Sequence, residues 1–336
     1  MKKIINKPEN FVDEMLEGIM LAHGDRLCFS KDSKRVVLNR HPVREGKVGV
    51  VTAGGSGHLP VFMGYVGDGM LDGCAVGNVF ASPSASAMAA MIRDCDRGNG
   101  VLCLYGNYNG DILNFNMACE EVDFDDIKTR TVLVRDDVAS SPPEHAERRR
   151  GVAGMVFAFK AAGAAADKGL DLDGVAAAAE MALANTRTMG VALSACIVPE
   201  AGKATFSIQE DEIEIGMGIH GEPGIEVRKM MTADEIADLL VSKIVADMPL
   251  EKGDEAAVMV NGLGGTPLEE QYILYRKVHQ NLEKLGVKVF MPHIGEFATS
   301  MEMAGLSLTV MKLNPELKEY LLAPAATPFY TNANKL

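Results

Sequence analysis

One histidine, His220, stands in "GMGIHGEPG" (216–224) among four glycines, a glutamate and a proline. A neutral imidazole is a nucleophile and a general base near pH 7. Glycines cost conformational entropy on folding, so a cluster of them implies a use. On glycine content alone the segment reads as a reactive site or as a turn carrying a histidine. Three further glycine-rich stretches compete with it. "GGSGH" (54–58) offers thinly covered backbone N–H groups beside His58, which suits the oxygen atoms of a small ligand. A tight strand-to-helix turn explains it equally well, and it is no nucleophile elbow, which needs glycine where His58 stands. "GNYNGD" (106–111) ends on Asp111 at the start of a helical pattern. An N-cap is the plainer explanation, and a carboxylate aimed at the same crevice as His58 is the functional one. "NGLGGTP" (261–267) could hold an anion at a helix N-terminus, but a strand–helix turn is favoured.

These stretches need elements to position them. β-branched and apolar runs predict strands at 47–52, 100–105, 130–134, 189–199, 211–218, 256–264, 287–292 and 306–313. Apolar residues at helical spacing predict helices at 11–23 (Asn10 as N-cap), 84–94, 111–121, 232–247, 267–285 and 296–304. The alanine-rich block 147–185 predicts two helices broken near "DKGLDLDG", with "ERRR" (147–150) opening the first. "SPPEHA" and "MPLEKGD" read as solvated linkers. Strands alternating with helices predict an α/β fold: two α/β domains with mixed, largely parallel sheets and flanking helices. The expected domains are 1–187, carrying His58 and Asp111, and 188–336, carrying His220. In such sheets ligands collect beyond the carboxyl ends of strands, where all four glycine-rich stretches lie.

Composition narrows the function. The chain of 336 residues has a net charge of −13, which argues against nucleic acid or an anionic membrane as partner. The N-terminus has no apolar run behind its lysines, and no stretch of eighteen apolar residues exists. The six cysteines never form C-x-x-C and read as reduced packing residues of a cytoplasmic protein. Neither cysteines nor histidines fall at metal-ligand spacing, so no metal site is expected. A Walker-type phosphate loop, a dinucleotide fingerprint and the protein-kinase motifs are all missing.

Seven segments in order make the chain recognisable: "GGSGHLP" (54–60), "GYVGDGML" (64–71), "NYNGDILNF" (107–115), "RRGVAG" (149–154), "GMGIHGEPG" (216–224), "LGGTPLEE" (263–270) and "LSLTVMKL" (306–313). Together they resemble the K, or substrate-binding, subunit of dihydroxyacetone kinases. The resemblance implies a two-domain α/β fold and a homodimer. It implies that an imidazole nitrogen of His220 adds to the C2 carbonyl of a short ketose and forms a hemiaminal. By the same match Asp111 is the general base, and His58 hydrogen-bonds the substrate and assists proton movement. Gly55, Ser56, Gly57 and Gly106 line the pocket. Glycines 216, 218, 221 and 224 are expected to leave room for the tetrahedral adduct.

No cofactor is expected on this chain. The implied partner is a separate helical L-type subunit holding ADP or ATP with magnesium, recharged in bacterial versions by a phosphotransferase chain. Two positions depart from the best-known pattern: Leu59 where glutamate is usual, and Gly106 where lysine is usual. They suggest a larger ketose, such as four-carbon erythrulose. The rival function is a ketose-binding coactivator of transcription, because the family includes such paralogues. A sugar-phosphate isomerase or lyase is a third alternative.

Overall fold

The computed structural model describes residues 2–41 and 43–333. The chain forms two compact units. The first comprises 1–134, 156–182 and 317–336, and the second 135–155 and 183–316. One border, Ala182/Leu183, falls near the expected division at 187/188. The segments 135–155 and 317–336, however, each lie with the unit opposite to the one expected.

In the first unit, α1 (Phe11–His23) precedes β1 (Leu27–Phe29), β2 (Val36–Asn39), β3 (Gly49–Ser56) and β4 (Gly73–Val79). Then come α2 (Ala85–Cys95), β5 (Val101–Gly106), α3 (Asn109–Asp123), β6 (Thr129–Val134), α4 (Met155–Lys168) and α5 (Leu172–Ala184). The sheet order is β1-β2-β4-β3-β5-β6. The pairs among β4, β3, β5 and β6 are parallel, and the pairs involving β2 are antiparallel. Every residue of β3 and β5 is buried, which is why neither strand alternates apolar with exposed polar residues. α2 begins at Ser84, whose side chain accepts a hydrogen bond from the Ala87 N–H. Met88, Met91 and Ile92 of α2 and Phe115, Ala118 and Val122 of α3 close the core over the sheet.

α1 starts as expected after Asn10, but the Asn10 side chain makes no cap bond, because a short 3-10 turn (Pro8–Asn10) already leads in. The alanine-rich block breaks where expected, at Gly169 with φ +87°. Its first helix opens later than expected, at Met155.

The second unit holds β7 (Thr186–Ala192), β8 (Glu212–Ile215), β9 (Glu226–Lys229), α6 (Ala233–Asp247), β10 (Glu255–Gly262), α7 (Leu268–Lys284), β11 (Lys288–Gly295) and β12 (Gly305–Leu313). Its sheet order is β11-β10-β12-β7-β8-β9. Both sheets are mixed, as expected. "Largely parallel" suits the first, whereas here β10 and β11 are the one parallel pair among these strands. The physical reason lies in the connections. β11 and β12 flank β10 and run in opposite directions, so no crossover helix is needed between them.

The helix expected at 296–304 is accordingly absent. Asn261, buried at the end of β10, captures that segment instead. Its carboxamide oxygen accepts from the N–H groups of Phe297 and Ala298, both at 2.8 Å, and its amide donates to Ala298 O and Ser307 Oγ. These tertiary bonds outcompete a short helix that would have few of its own.

"ERRR" does not open a helix, and only its first two residues, Glu147 and Arg148, are solvated. Arg149 is 1% exposed and forms a forked pair with Asp247 of α6, with Nη1 at 2.9 Å from Oδ1. Arg187 of β7 reaches the same carboxylate.

Two stability effects are expected. Asn261→Ala should cost roughly 2–4 kcal/mol in urea unfolding, from four lost hydrogen bonds, and should speed amide exchange at Phe297 and Ala298. Arg149→Met should cost roughly 1.5–3 kcal/mol by removing one of the two guanidinium partners of Asp247. A loss under about 1 kcal/mol in either case would show that the interaction is dispensable.

Candidate functional site

β3 and β5 are parallel, so Ser56 and Gly106 end them at the same edge of the first sheet. Glycine is required there for backbone approach. A Cβ on Gly54 would fall 2.0 Å from the Phe62 ring, and one on Gly55 would fall 2.7 Å from Ala81 N. Gly57 turns the chain with φ +101°. The Ser56 hydroxyl donates to Gly77 O at 2.7 Å, and Phe80 N–H donates to Ser56 O at 3.0 Å. His58 follows and is wholly buried. Its ring stacks on Phe80 (centroids 4.9 Å apart, planes 17° apart) and meets Phe62 edge-on at 6.1 Å. Two aromatic rings thus fix the imidazole plane.

Asp111 lies beyond β5 in the first turn of α3. Tyr108 occupies the N-cap, so the capping explanation of Asp111 is set aside. The carboxylate is 6% exposed and sits where the helix dipole favours negative charge. Burial pushes the Cys74 thiol and the Tyr105 hydroxyl up, and the Asp111 charge adds to both. The amide of Asn114 donates to Pro83 O at 2.7 Å and ties α3 to the turn after β4. The first unit therefore gathers Gly55, Ser56, Gly57, His58, Gly106 and Asp111 at one strand edge.

His220 belongs to the second unit, in the loop 216–225 joining the antiparallel strands β8 and β9. β8 is shorter than expected, because Gly216 leaves the strand with φ +80°. The His220 side chain is 21% exposed, in contrast to buried His58. Its Nδ1 lies 3.0 Å from Glu222 Oε1, and its backbone N–H donates to Glu222 Oε2 at 2.9 Å. Arg150 Nη1 stands 3.9 Å from the same carboxylate. Arg150 also pairs with Asp137 (Nη2–Oδ2 2.8 Å) and donates to Gly216 O at 3.0 Å. Burial works against ionisation of Glu222, yet the His220 hydrogen bond and the His220 and Arg150 charges hold it down to about 2. Burial pushes Asp137 up to about 6 in spite of Arg150.

The glycines of this loop do not keep space open, contrary to expectation. A Cβ on Gly218 would lie 2.1 Å from Glu222 Oε2, one on Gly216 2.6 Å from Ala139 Cβ, and one on Gly224 2.0 Å from Ile215 O. On Gly221 it would meet Thr205 Oγ1 at 2.9 Å. They let the loop fold tightly onto its own unit and bring Glu222 under His220.

Glu222, Arg150, Asp137, Phe80 and Phe62 were missed as site residues. The His-Gly-Glu spacing could have pointed to Glu222, whereas Arg150 and Asp137 are too distant in sequence. "NGLGGTP" is a turn, closed by Thr266 Oγ1 to Gly305 O and by Gln271 Nε2 to Thr266 O. His293 on β11 is held down to about 4 by burial. Among the described residues no group of three or more His, Cys, Asp or Glu could hold a metal ion, and no helix is long and apolar enough to cross a membrane.

The low value of Glu222 has a testable sign. A carboxyl depressed from about 4.3 contributes stability that is fully present above that value. The contribution is lost as pH falls through about 2. The unfolding free-energy gap between wild type and Glu222→Gln should be open at about pH 5 and should close between about pH 4 and 2. A gap that persists unchanged to the acid end would exclude ionised Glu222 as its source.

Comparison with known proteins places the whole chain in one family. The Dak1 domain model matches residues 17–329. A Listeria innocua protein, the dihydroxyacetone-binding subunit DhaK of PTS-dependent dihydroxyacetone kinase 2, is 45% identical over 98% of this chain and 99% of its own length. The L-erythrulose kinase of Pectobacterium atrosepticum is 42% identical over 98% of this chain and 56% of its own length. Among solved structures, the dihydroxyacetone kinase operon co-activator Dha-DhaQ superposes with a TM-score of 0.89 at 32% identity, covering 96% of this chain and 98% of that one. The chain belongs to the Dak1 family and is similar over nearly its whole length to DhaK subunits.

Proposed function

We propose that this chain is the ketose-binding subunit of a kinase for dihydroxyacetone or a close relative, and that His220 holds the ketose as a hemiaminal. The observation that carries this reading is an imidazole that reaches solvent from a loop pinned to its own unit through Glu222, Arg150 and Gly216. An immobile nucleophile that a small carbonyl can reach suits reversible addition. The covalent hold sets the orientation of the substrate hydroxyl before phosphoryl transfer. It also discriminates: glycerol has no carbonyl and cannot add.

In this reading Asp111 takes the proton from the hydroxyl that is phosphorylated. Its position in the first turn of α3 supports the ionised form that a base requires. His58, fixed between Phe80 and Phe62, hydrogen-bonds the ketose and assists the proton's movement. Gly55, Ser56, Gly57 and Gly106 line that part of the pocket. ADP or ATP with magnesium belongs to a separate helical L-type subunit, fed by ATP or by a phosphotransferase chain. The PTS-dependent Listeria relative favours the second route. The chain acts as a homodimer in the cytoplasm. Leu59 and Gly106, where the best-known pattern has glutamate and lysine, favour a four-carbon ketose, consistent with the likeness to an erythrulose kinase.

The co-activator neighbour supports a second reading, a ketose sensor without turnover. One set of assays separates the two. With ketose labelled at C2, wild type should convert part of the carbonyl carbon signal to that of a tetrahedral carbon, and His220→Ala should not. Adding an L-type subunit with its phosphoryl donor should yield phosphorylated ketose, with kcat/KM higher for erythrulose than for dihydroxyacetone. A preference for dihydroxyacetone would defeat the larger-substrate assignment, and adduct without any phosphorylation would favour the sensor. Asp111→Asn should keep the adduct while turnover falls at least about 100-fold; retained turnover would refute Asp111 as base.

A further inference from the structure

We infer that Cys119 and Cys103 form a modification site, a dithiol that a peroxide oxidises to an internal disulfide between α3 and β5. Cys119 is the sulfur that attacks the peroxide, and Cys103 closes the bond. Neither residue takes part in the proposed function, so the inference does not depend on it.

The placement follows from how α3 returns over the sheet. α3 carries the chain back from the end of β5 to β6, which is parallel to β5, so helix and strand run in opposite directions. Phe115 of α3 stacks on Tyr105 of β5, with centroids 4.1 Å and planes 16° apart. One turn further along α3 is Cys119, and two residues back along β5 is Cys103, a step of about 6 Å in each element. The ring pair therefore sets the two sulfurs opposite each other, and a hydrogen bond joins them. Cys103 is wholly buried, whereas Cys119 is half-buried and within reach of solvent.

The two thiols are not equivalent. The hydrogen bond from Cys103 holds the Cys119 thiol down to about 7 in spite of burial, and Thr129 at the start of β6 adds to the effect. The same bond, together with burial, pushes Cys103 well up, which leaves it the proton donor. The thiolate is the form that attacks a peroxide, and an accessible thiolate beside a second thiol is set for disulfide formation. Cys28 makes the contrast. It too is half-buried, but burial pushes its thiol up, and it faces the Leu38 carbonyl rather than a second thiol.

The chemistry balances with the peroxide as oxidant. The Cys119 thiolate attacks one peroxide oxygen, the O–O bond breaks, and Cys119 becomes a sulfenic acid. The hydroxide that leaves takes a proton from solvent. The Cys103 sulfur then attacks the Cys119 sulfur and the S–O bond breaks. The second hydroxide departs as water with the Cys103 proton. Two thiols lose two electrons, and hydrogen peroxide is reduced to two waters. The bond lies about two helical turns from Asp111, on the helix that carries it.

The test uses the full chain and hydrogen peroxide. Between Arg97 and Lys128 there is no lysine or arginine, so trypsin releases both cysteines in one peptide, 98–128. After peroxide, that peptide should be lighter by two hydrogens and refuse a thiol-blocking reagent, and a thiol reductant should restore it. Cys119 should lose its free thiol about 3–10-fold faster than Cys28 in the same sample. In Cys103→Ala the sulfenic acid should persist at Cys119 and be trapped by a dimedone-type diketone, and Cys119→Ser should leave Cys103 a free thiol. The wild-type peptide decides the matter even if Cys103→Ala does not fold. A peptide 98–128 with both thiols still open to blocking would overturn the inference. So would a cross-link to the peptide that holds Cys95, or a Cys119 that reacts no faster than Cys28.

Discussion

Two arginines adjacent in sequence, Arg149 and Arg150, each end on an aspartate, the half-buried Asp247 and the buried Asp137, and these pairs constrain the second unit. Arg149 pairs with Asp247 of α6, a carboxylate that Arg187 of β7 also reaches. Arg150 pairs with Asp137 and extends to the loop of His220. A buried charge without its partner is far more costly than the pair is favourable. Each pair therefore acts less as a source of stability than as a constraint on where the backbone can lie. Together they fasten 135–155 to the second unit, although that segment follows directly on β6 of the first. They explain why a continuous domain division misplaces it.

Glycine carries a related lesson. Both site segments are glycine-rich, and in both the space a Cβ would need is filled by the protein itself. At Gly54 and Gly55 it is taken by Phe62 and by the backbone of Phe80 and Ala81. At Gly218 it is taken by Glu222 and Arg150. Close approach draws functional side chains together and holds them still. For a nucleophile that must meet a carbonyl in a narrow range of directions, stillness is worth more than room.

The two histidines illustrate how environment divides labour between identical side chains. His58 is buried between aromatic rings, and its plane is settled by packing. His220 reaches solvent, and its ring is settled by a carboxylate two residues away. The first arrangement suits a group that contacts a ligand along one edge. The second suits a group that must be reached, attack and be released.

Much of this was determined by the sequence alone. Apolar runs of strand length and helices at 3.6-residue spacing located most elements, because local periodicity follows from which face is buried. Seven motifs identified the family, and the roles proposed for His58, Asp111 and His220 rest on that resemblance. Tertiary structure decided what periodicity does not encode. It placed Asn261 to unwind an expected helix at 296–304, made the second sheet mainly antiparallel, and exchanged 135–155 and 317–336 between units. It also brought Arg150, some seventy residues away in sequence, to the carboxylate beneath His220, with Asp137 paired to the same guanidinium. Hydrogen bonds and ion pairs between distant residues leave no period in a sequence, and they become visible only when the fold brings their partners within reach.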